Sequence, residues 1–407
     1  MATMLLLGQT KHEGHKAMTL AELRQHIRTL ITLGATDAPV ISCYLDLEAN
    51  PPEASGSGGR AVFAKRAALL RKSTLSESRK SVEEALQRIE GFLAGELRPE
   101  IKGVAVFARG GAQPFFLPLR FQVPLPNWIV ADVVPNVYHL IELKDTYHHF
   151  VLLLMTEKSA RILEINLGAL TQEVWAERPE LRDYVGSGWS KAHYQNYSAQ
   201  QTEHFVADAI KVLDRLVSAG GHTHLILAGD PVTTPRMRKA LPSHLADKLV
   251  DKLVDTVHAS ARDSMRDIVT ATNSLFVEQE EMESQTRVCV LVGEINTHGL
   301  AVAGTESSLR ALRSGLTDVL VMAKDYQPDP GWLCAHCGRI TAALRRPGVC
   351  SDCVGNELCA VDLKEEMVRM AERNGAEIEI VAHSDVLMEL GGVGCLLRYP
   401  PPEDFYR

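Results

Sequence analysis

The residues with the most defined chemical spacing are four cysteines. Cys334 and Cys337, twelve intervening residues, then Cys350 and Cys353 make the pattern CxxC-x12-CxxC. Two such knuckles present four thiolates tetrahedrally to Zn2+, and a closed four-sulfur shell leaves no position for water or substrate. The expected zinc is therefore structural. Cys359 and His336 stand nearby as alternative ligands. The chain has 8 cysteines in 407 residues, too sparse for a small disulfide scaffold, and the paired spacing of four of them points to metal in a reducing compartment.

Two other stretches have chemistry of a different kind. Gly186-Ser187-Gly188-Trp189 lies in a glycine-broken loop that begins near Arg182. The glycines free the backbone, Ser187 adds a hydroxyl, and Trp189 adds a flat indole suited to stacking on RNA bases. Behind it Val206, Ile210, Leu213 and Val217 form one helical stripe, with a start expected near Ser198, Gln201 as capping partner, and a stop at Gly220-Gly221. From spacing alone a surface loop before an ordinary amphipathic helix is the simpler reading. The second stretch is basic. Arg60, Lys65, Arg66, Arg71, Lys72, Arg79 and Lys80 face a single acid, Glu77, in a chain of formal net charge −8. The overall charge argues against a general nucleic-acid coat, so any RNA contact must come from such a patch; a solvated helix face is the competing reading.

Several tempting motifs fail their context. Gly391-Gly392-Val393-Gly394 follows a polar segment and does not open a helix, so it is no dinucleotide loop. Gly110-Gly111-Ala112-Gln113 lies between two strands and reads as a hairpin turn. His148-His149 and His222-Thr223-His224 flank expected strands without a partner set of defined spacing. No Ser-His-Asp or phosphate-loop pattern is visible.

The elements that must position these residues alternate in type. Thr19 with Glu22 caps a helix whose apolar residues run to Ile31, and Val40 to Leu47 reads as a strand. Helices over 61–72 and 76–93 precede strands over 103–108, 115–121 and 128–133. A hairpin over 149–155 and 160–165 opens the middle of the chain, and 225–228 is a short buried strand. The segment from Ser264 to Ser284 favours helix, and a strand is expected over 288–292. Helix 307–314, strand 319–322, helix 363–374 and strand 376–381 follow. The fold class is α/β, with domains expected over 1–135, 136–284 and 285–407 and the four-cysteine insertion in the third. The apolar run Met4 to Leu7 is too short for a signal peptide and no stretch has the length of a membrane span, so a cytoplasmic protein is expected.

Together these features resemble the archaeal and eukaryotic class-one release factor and Pelota superfamily, in particular its bacterial branch, which includes Balon-type hibernation factors. The resemblance covers nearly the whole chain. Its most specific part is Gly391-Gly392-Val393-Gly394-Cys395-Leu396-Leu397-Arg398-Tyr399, similar to the family's closing glycine-rich Leu-Arg-Tyr segment. Leu225-Ile226-Leu227-Ala228-Gly229 resembles the family strand after the long middle helix, and the cysteine insertion sits where archaeal members often carry a zinc ribbon. The resemblance implies three consecutive domains of release-factor/Pelota type. It implies a ribosome-binding protein, most simply a monomeric hibernation factor in the aminoacyl-tRNA site, touching rRNA of the decoding and peptidyl-transferase centres through Arg60, Lys65, Arg66, Arg71 and Lys72 and through Gly186 to Trp189. A translational GTPase of the elongation factor Tu type would contact the third domain. Two departures bear on activity: Val185-Gly186-Ser187-Gly188-Trp189 stands where release factors carry Gly-Gly-Gln, and no Asn-Ile-Lys-Ser sequence is present. The expectation is a protein that blocks and does not hydrolyse, without catalytic residues. The alternatives are a rescue or peptide-release factor with a non-standard loop, and an RNA-processing protein acting off the ribosome.

Overall fold

The structure is a computed structural model that describes residues 8–10, 17–48, 58–95, 97–155, 159–177, 191–219, 222–229, 233–248 and 265–401. Its first segment runs β1 (Gly8–Thr10), α1 (Leu20–Thr32), β2 (Val40–Asp46), α2 (Gly59–Ser73), α3 (Arg79–Ala94), β3 (Gly103–Arg109), β4 (Phe115–Phe121), β5 (Trp128–Asp132) and α4 (Tyr138–Thr146). The middle adds β6 (His149–Met155), β7 (Ser159–Asn166), β8 (Ala169–Glu177), α5 (Lys191–Ser218), β9 (His224–Gly229), α6 (Thr233–Ala240), α7 (Ser243–Ala246) and α8 (Met265–Asn296). The last part holds β10 (Ala301–Ala303), α9 (Thr305–Arg313), β11 (Thr317–Ala323), β12 (Gly331–Cys334), β13 (Ile340–Ala342), β14 (Leu358–Val361), α10 (Leu363–Arg373), β15 (Glu377–Val381), α11 (Asp385–Glu389) and β16 (Val393–Leu397).

These elements group into two compact units. One comprises residues 1–20 with 147–279, the other 21–146 with 280–407. The three sequence domains map onto them unevenly: the first and third share one unit, and α4, assigned from sequence to the middle domain, belongs with them. Helix α4 is held to the first segment by β2, and to the third by bonds from α10 and β15. Val40 to Leu45 of β2 are buried on both faces. Ile41, Cys43 and Leu45 pack on α2 and α3 through Phe63, Val82, Leu86 and Ile89. On the other face the Tyr44 hydroxyl donates to the Asn136 carbonyl at 2.6 Å and its ring meets His139 of α4 edge-on at 5.1 Å. This sheet is antiparallel, in the order β4-β3-β2-β5.

The unit built on the middle segment has the sheet β1-β8-β7-β6-β9, with β6 and β9 parallel and the remaining pairs antiparallel. Strand β6 is buried throughout. Val151, Leu153 and Met155 meet Phe205, Val206, Leu213 and Val217 of α5, while Phe150, Leu152 and Leu154 meet Ile268, Val269 and Phe276 of α8. Alternation along the strand thus feeds two helical layers. Helix α5 begins at Lys191, seven residues before the expected start at Ser198, so the Ser198/Gln201 capping box falls inside it.

The expected strand 288–292 is helical, the last third of α8. Val288 and Leu291 are buried and Cys289 and Val290 exposed, a spacing of three and not of two. The third-domain sheet is β10-β16-β11-β15, with β11 and β15 parallel as a βαβ unit requires. Its closing segment explains its own glycines. Gly392 has φ 75° and a Cβ there would lie 2.6 Å from Tyr326 Cδ2, while one on Gly394 would lie 2.9 Å from the Val302 carbonyl oxygen. Arg398 then donates from its guanidinium to the Gly375 carbonyl at 2.9 Å, placing a cation just past the C-terminus of α10. Among the described residues no helix is long and apolar enough to cross a membrane.

Candidate functional site

The four cysteines converge. β12 ends on Cys334 and sits between β13 and β14 in a three-stranded antiparallel sheet. Each knuckle closes by a backbone hydrogen bond, Gly338 N–H to the Cys334 carbonyl at 2.9 Å and Val354 N–H to the Cys350 carbonyl at 3.0 Å. Gly338 and Val354 both take positive φ, 72° and 60°, which turns the chain back after each pair. The sulfurs of Cys334 and Cys353 stand 3.5 Å apart, as do those of Cys337 and Cys350, and all four lie within 4.8 Å of one another. Tetrahedral zinc with Zn–S near 2.3 Å would set them about 3.8 Å apart. The residues therefore fit a four-thiolate metal ion. Cys359 is exposed and His336 lies outside the converging group, so neither alternative ligand belongs to it. Asp352 ties this ribbon to the neighbouring helix, accepting from Arg339 of the ribbon and Arg313 of α9, each at 2.8 Å.

The basic stretch divides. Arg60, Lys65, Arg66 and Lys72 are exposed on α2, with Arg79 and Lys80 exposed at the start of α3. Arg66 is anchored by a long contact to the Ile129 carbonyl at 3.4 Å. Arg71 turns inward to α3, bidentate on Glu83 at 2.8 and 3.2 Å and bonded to Glu90 at 2.9 Å. That paired guanidinium joins two helices and is not an open phosphate contact. Gly186, Ser187, Gly188 and Trp189 lie outside the described residues.

Sequence reasoning missed a buried polar seam in the unit containing α4. Glu365 of α10 reaches the N-terminus of α4, where Oε1 accepts from Val137 N–H at 2.8 Å and Oε2 from Tyr138 N–H at 3.0 Å. Burial pushes its carboxyl up to about 8, against the pull of those amides and of Arg369. Arg369, with its side chain 1% exposed, donates to the Pro135 carbonyl and to the Ile31 carbonyl at the end of α1, both at 3.0 Å. Asp145 of α4 accepts at 2.7 Å from Ile380 N–H of β15, satisfying a donor on the sheet's edge strand, and burial holds that carboxyl well above the usual range. Lys144 pairs with Glu372, and Lys324 with Glu142 at 2.8 Å. The only sequence sign was a charged α10, which reads as an ordinary surface helix.

A second missed group lies in the other unit. His149 at the start of β6, Glu164 within β7 and His222 two residues before β9 bring their side chains together. The hydrogen bond from His149, with nearby His222, holds the Glu164 carboxyl down at about 2.

Residues 135–273 match the family described as bacterial archaeo-eukaryotic release factor family 10. The matched segment, which runs from just before α4 into α8, is thus of release-factor type. Over this segment, about a third of its length, the chain is similar to the bacterial branch of the archaeal and eukaryotic release factor and Pelota superfamily. Among solved structures, Pelota from Archaeoglobus fulgidus is 13% identical, with 98% of this chain and 99% of that one covered and a TM-score of 0.34. Dom34 from S. cerevisiae is 10% identical over 75% of this chain and 82% of that one, TM-score 0.40. An archaeal translation termination factor, aRF1, is 14% identical over 95% and 100%, TM-score 0.27. Similarity at these levels carries no argument about activity. No curated protein matches the chain.

Proposed function

We propose that this protein is a cytoplasmic, monomeric ribosome-binding translation factor of the hibernation type, which occupies the aminoacyl-tRNA site and blocks it without hydrolysing peptidyl-tRNA. One observation carries the reading: the segment that matches a release-factor family contains Val185-Gly186-Ser187-Gly188-Trp189 and no Gly-Gly-Gln. Positioning a hydrolytic water demands a fixed donor and acceptor, and a misplacement of about 1 Å costs on the order of a hundredfold in rate. A glycine-flanked serine followed by tryptophan supplies binding area instead. The basic face of α2 turns toward rRNA phosphates, and the third domain meets a translational GTPase of the elongation factor Tu type. The four-cysteine ribbon holds a structural zinc.

Co-sedimentation of the full chain with ribosomes across a salt series tests this. Reversing Arg60, Arg66 and Lys72 to glutamate should weaken binding and lower the slope of log affinity against log salt by about one per lost phosphate contact. Arg71 is left intact because its reversal would break the bridge between α2 and α3. Ribosomes carrying peptidyl-tRNA should retain their peptide when the wild-type protein is added. An unchanged salt slope would remove the basic face from the interface, and stoichiometric peptide release would replace the reading with a rescue factor.

A further inference from the structure

The two histidine pairs are distant in sequence, but β6 and β9 are parallel neighbours with Phe150 opposite His224. The residues that lead into both strands therefore meet at one end of the sheet. His149 and His222 bring their rings to 3.9 Å between centroids, tilted by 41°. Glu164 projects from β7, across the hairpin, on the same face. Its Oε1 lies 2.7 Å from His149 Nε2 and 3.6 Å from His222 Nε2.

An ion pair between Glu164 and His149 accounts for only half of this group. The His222 side chain is 2% exposed, and neither of its ring nitrogens has a hydrogen-bond partner; 3.6 Å to the carboxylate is too long. Leaving a buried polar group unsatisfied costs about 1–3 kcal/mol. The backbone nonetheless holds the ring there: Thr223 donates from N–H and Oγ1 to the His149 carbonyl at 2.9 and 3.1 Å, and Lys248 Nζ donates to the His222 carbonyl at 2.7 Å. A braced, buried imidazole beside a second imidazole and a carboxylate is a donor set in search of an acceptor of electron pairs.

We propose that His149, Glu164 and His222 bind a divalent transition-metal ion of the zinc class, at a site in the middle unit distinct from the four-cysteine ribbon. Two imidazole nitrogens and one carboxylate oxygen are borderline donors that suit zinc. In a tetrahedral shell with metal–ligand distances near 2.0–2.1 Å, donors stand about 3.3 Å apart. The 2.7 and 3.6 Å separations straddle that value, and the three donor atoms already lie within 4.8 Å of one another. Glu164 keeps 17% of its side chain exposed, so ion and a fourth, water ligand have a way in. The ion would tie β6, β7 and the entry to β9 together at one end of the sheet.

Zinc titration of the full-length protein by calorimetry, with metal content measured in parallel, provides the test. The wild type should take two equivalents. His222→Ala and Glu164→Gln should keep the ribbon equivalent and bind the second at least tenfold more weakly. His222→Ala should melt no lower than wild type in the absence of added zinc, because it removes an unsatisfied ring, and should lack the rise in melting temperature that added zinc gives wild type. X-ray absorption at the zinc edge of two-equivalent wild-type protein should show imidazole scattering beside sulfur, a readout independent of how the variants fold. A single equivalent in wild type, a purely sulfur shell, or a second equivalent retained in both variants would overturn the site.

Discussion

The four-cysteine ribbon and the seam between α4 and α10 both hold chain together with polar groups removed from water, at opposite sequence separations. The ribbon's paired sulfurs are 13 and 19 residues apart. The contacts of Glu365 and Arg369 span 227 to 338 residues. A local site closes on a metal whatever the rest of the chain does, whereas the seam exists only after two domains have folded and found each other. Its polar groups have no metal to repay desolvation, only one another, helix ends and backbone groups. The comparison teaches that the ribbon is a self-contained module and the seam a consequence of tertiary assembly.

The largest expected effect breaks the local member. Cys334→Ser with Cys350→Ser should abolish metal binding at the ribbon, where four-thiolate zinc contributes an apparent 10–16 kcal/mol or so to local folding. Hydrogen exchange should then lose protection across residues 331–361. The amides of Val137 and Tyr138, bonded to Glu365, should stay protected. Exchange at those amides in the variant would show that ribbon and seam fold as one body and the contrast fails.

Next in size is the distant member. Arg369→Ala would strip the donor from the Pro135 and Ile31 carbonyls and remove the cation beside Glu365, at a cost of about 1–3 kcal/mol for each buried acceptor left unsatisfied in denaturant unfolding. Replacing both partners, Glu365→Leu with Arg369→Met, should recover much of that loss, since an apolar pair of similar volume carries no desolvation penalty. If the double variant is as unstable as the single, the capping of α4 by Glu365 outweighs the charge pairing.

The same contrast decides what was legible beforehand. CxxC spacing announces a local ligand set, and the apolar periods of α1, β2, β3 and α10 announced those elements to within a few residues. The run from Val288 to Val292 shows the limit of pattern: a short apolar stretch fits helix and strand alike, and only the burial of Val288 with Leu291 reveals the period. Glu365, Arg369 and Glu164 were invisible, and His222 was noticed without a role, because their meaning comes from partners hundreds or tens of residues away. One hint was available for the histidines, since two pairs each led into an apolar strand, and parallel pairing of those strands would bring them to one end. Arg71 was legible as a cation but not as a bridge between helices.

The smallest expected effect concerns Asp352, which joins the two regimes. It sits on the local ribbon but accepts from Arg313 of α9 as well as from Arg339. Its side chain and that of Arg313 remain 32% and 47% exposed, so water and salt screen the pairing and much of the Coulomb attraction is offset by ordering two long side chains. Asp352→Asn removes the charge and keeps an acceptor for either arginine. It should leave the melting temperature within measurement scatter of wild type at physiological salt and leave the ribbon's zinc in place. Comparing melting at low and high ionic strength sharpens the point: any difference between variant and wild type should shrink as salt rises. A loss approaching that of Arg369→Ala, persisting at high salt, would mean that the ribbon depends on its docking to α9 and is not the self-contained module that its spacing implies.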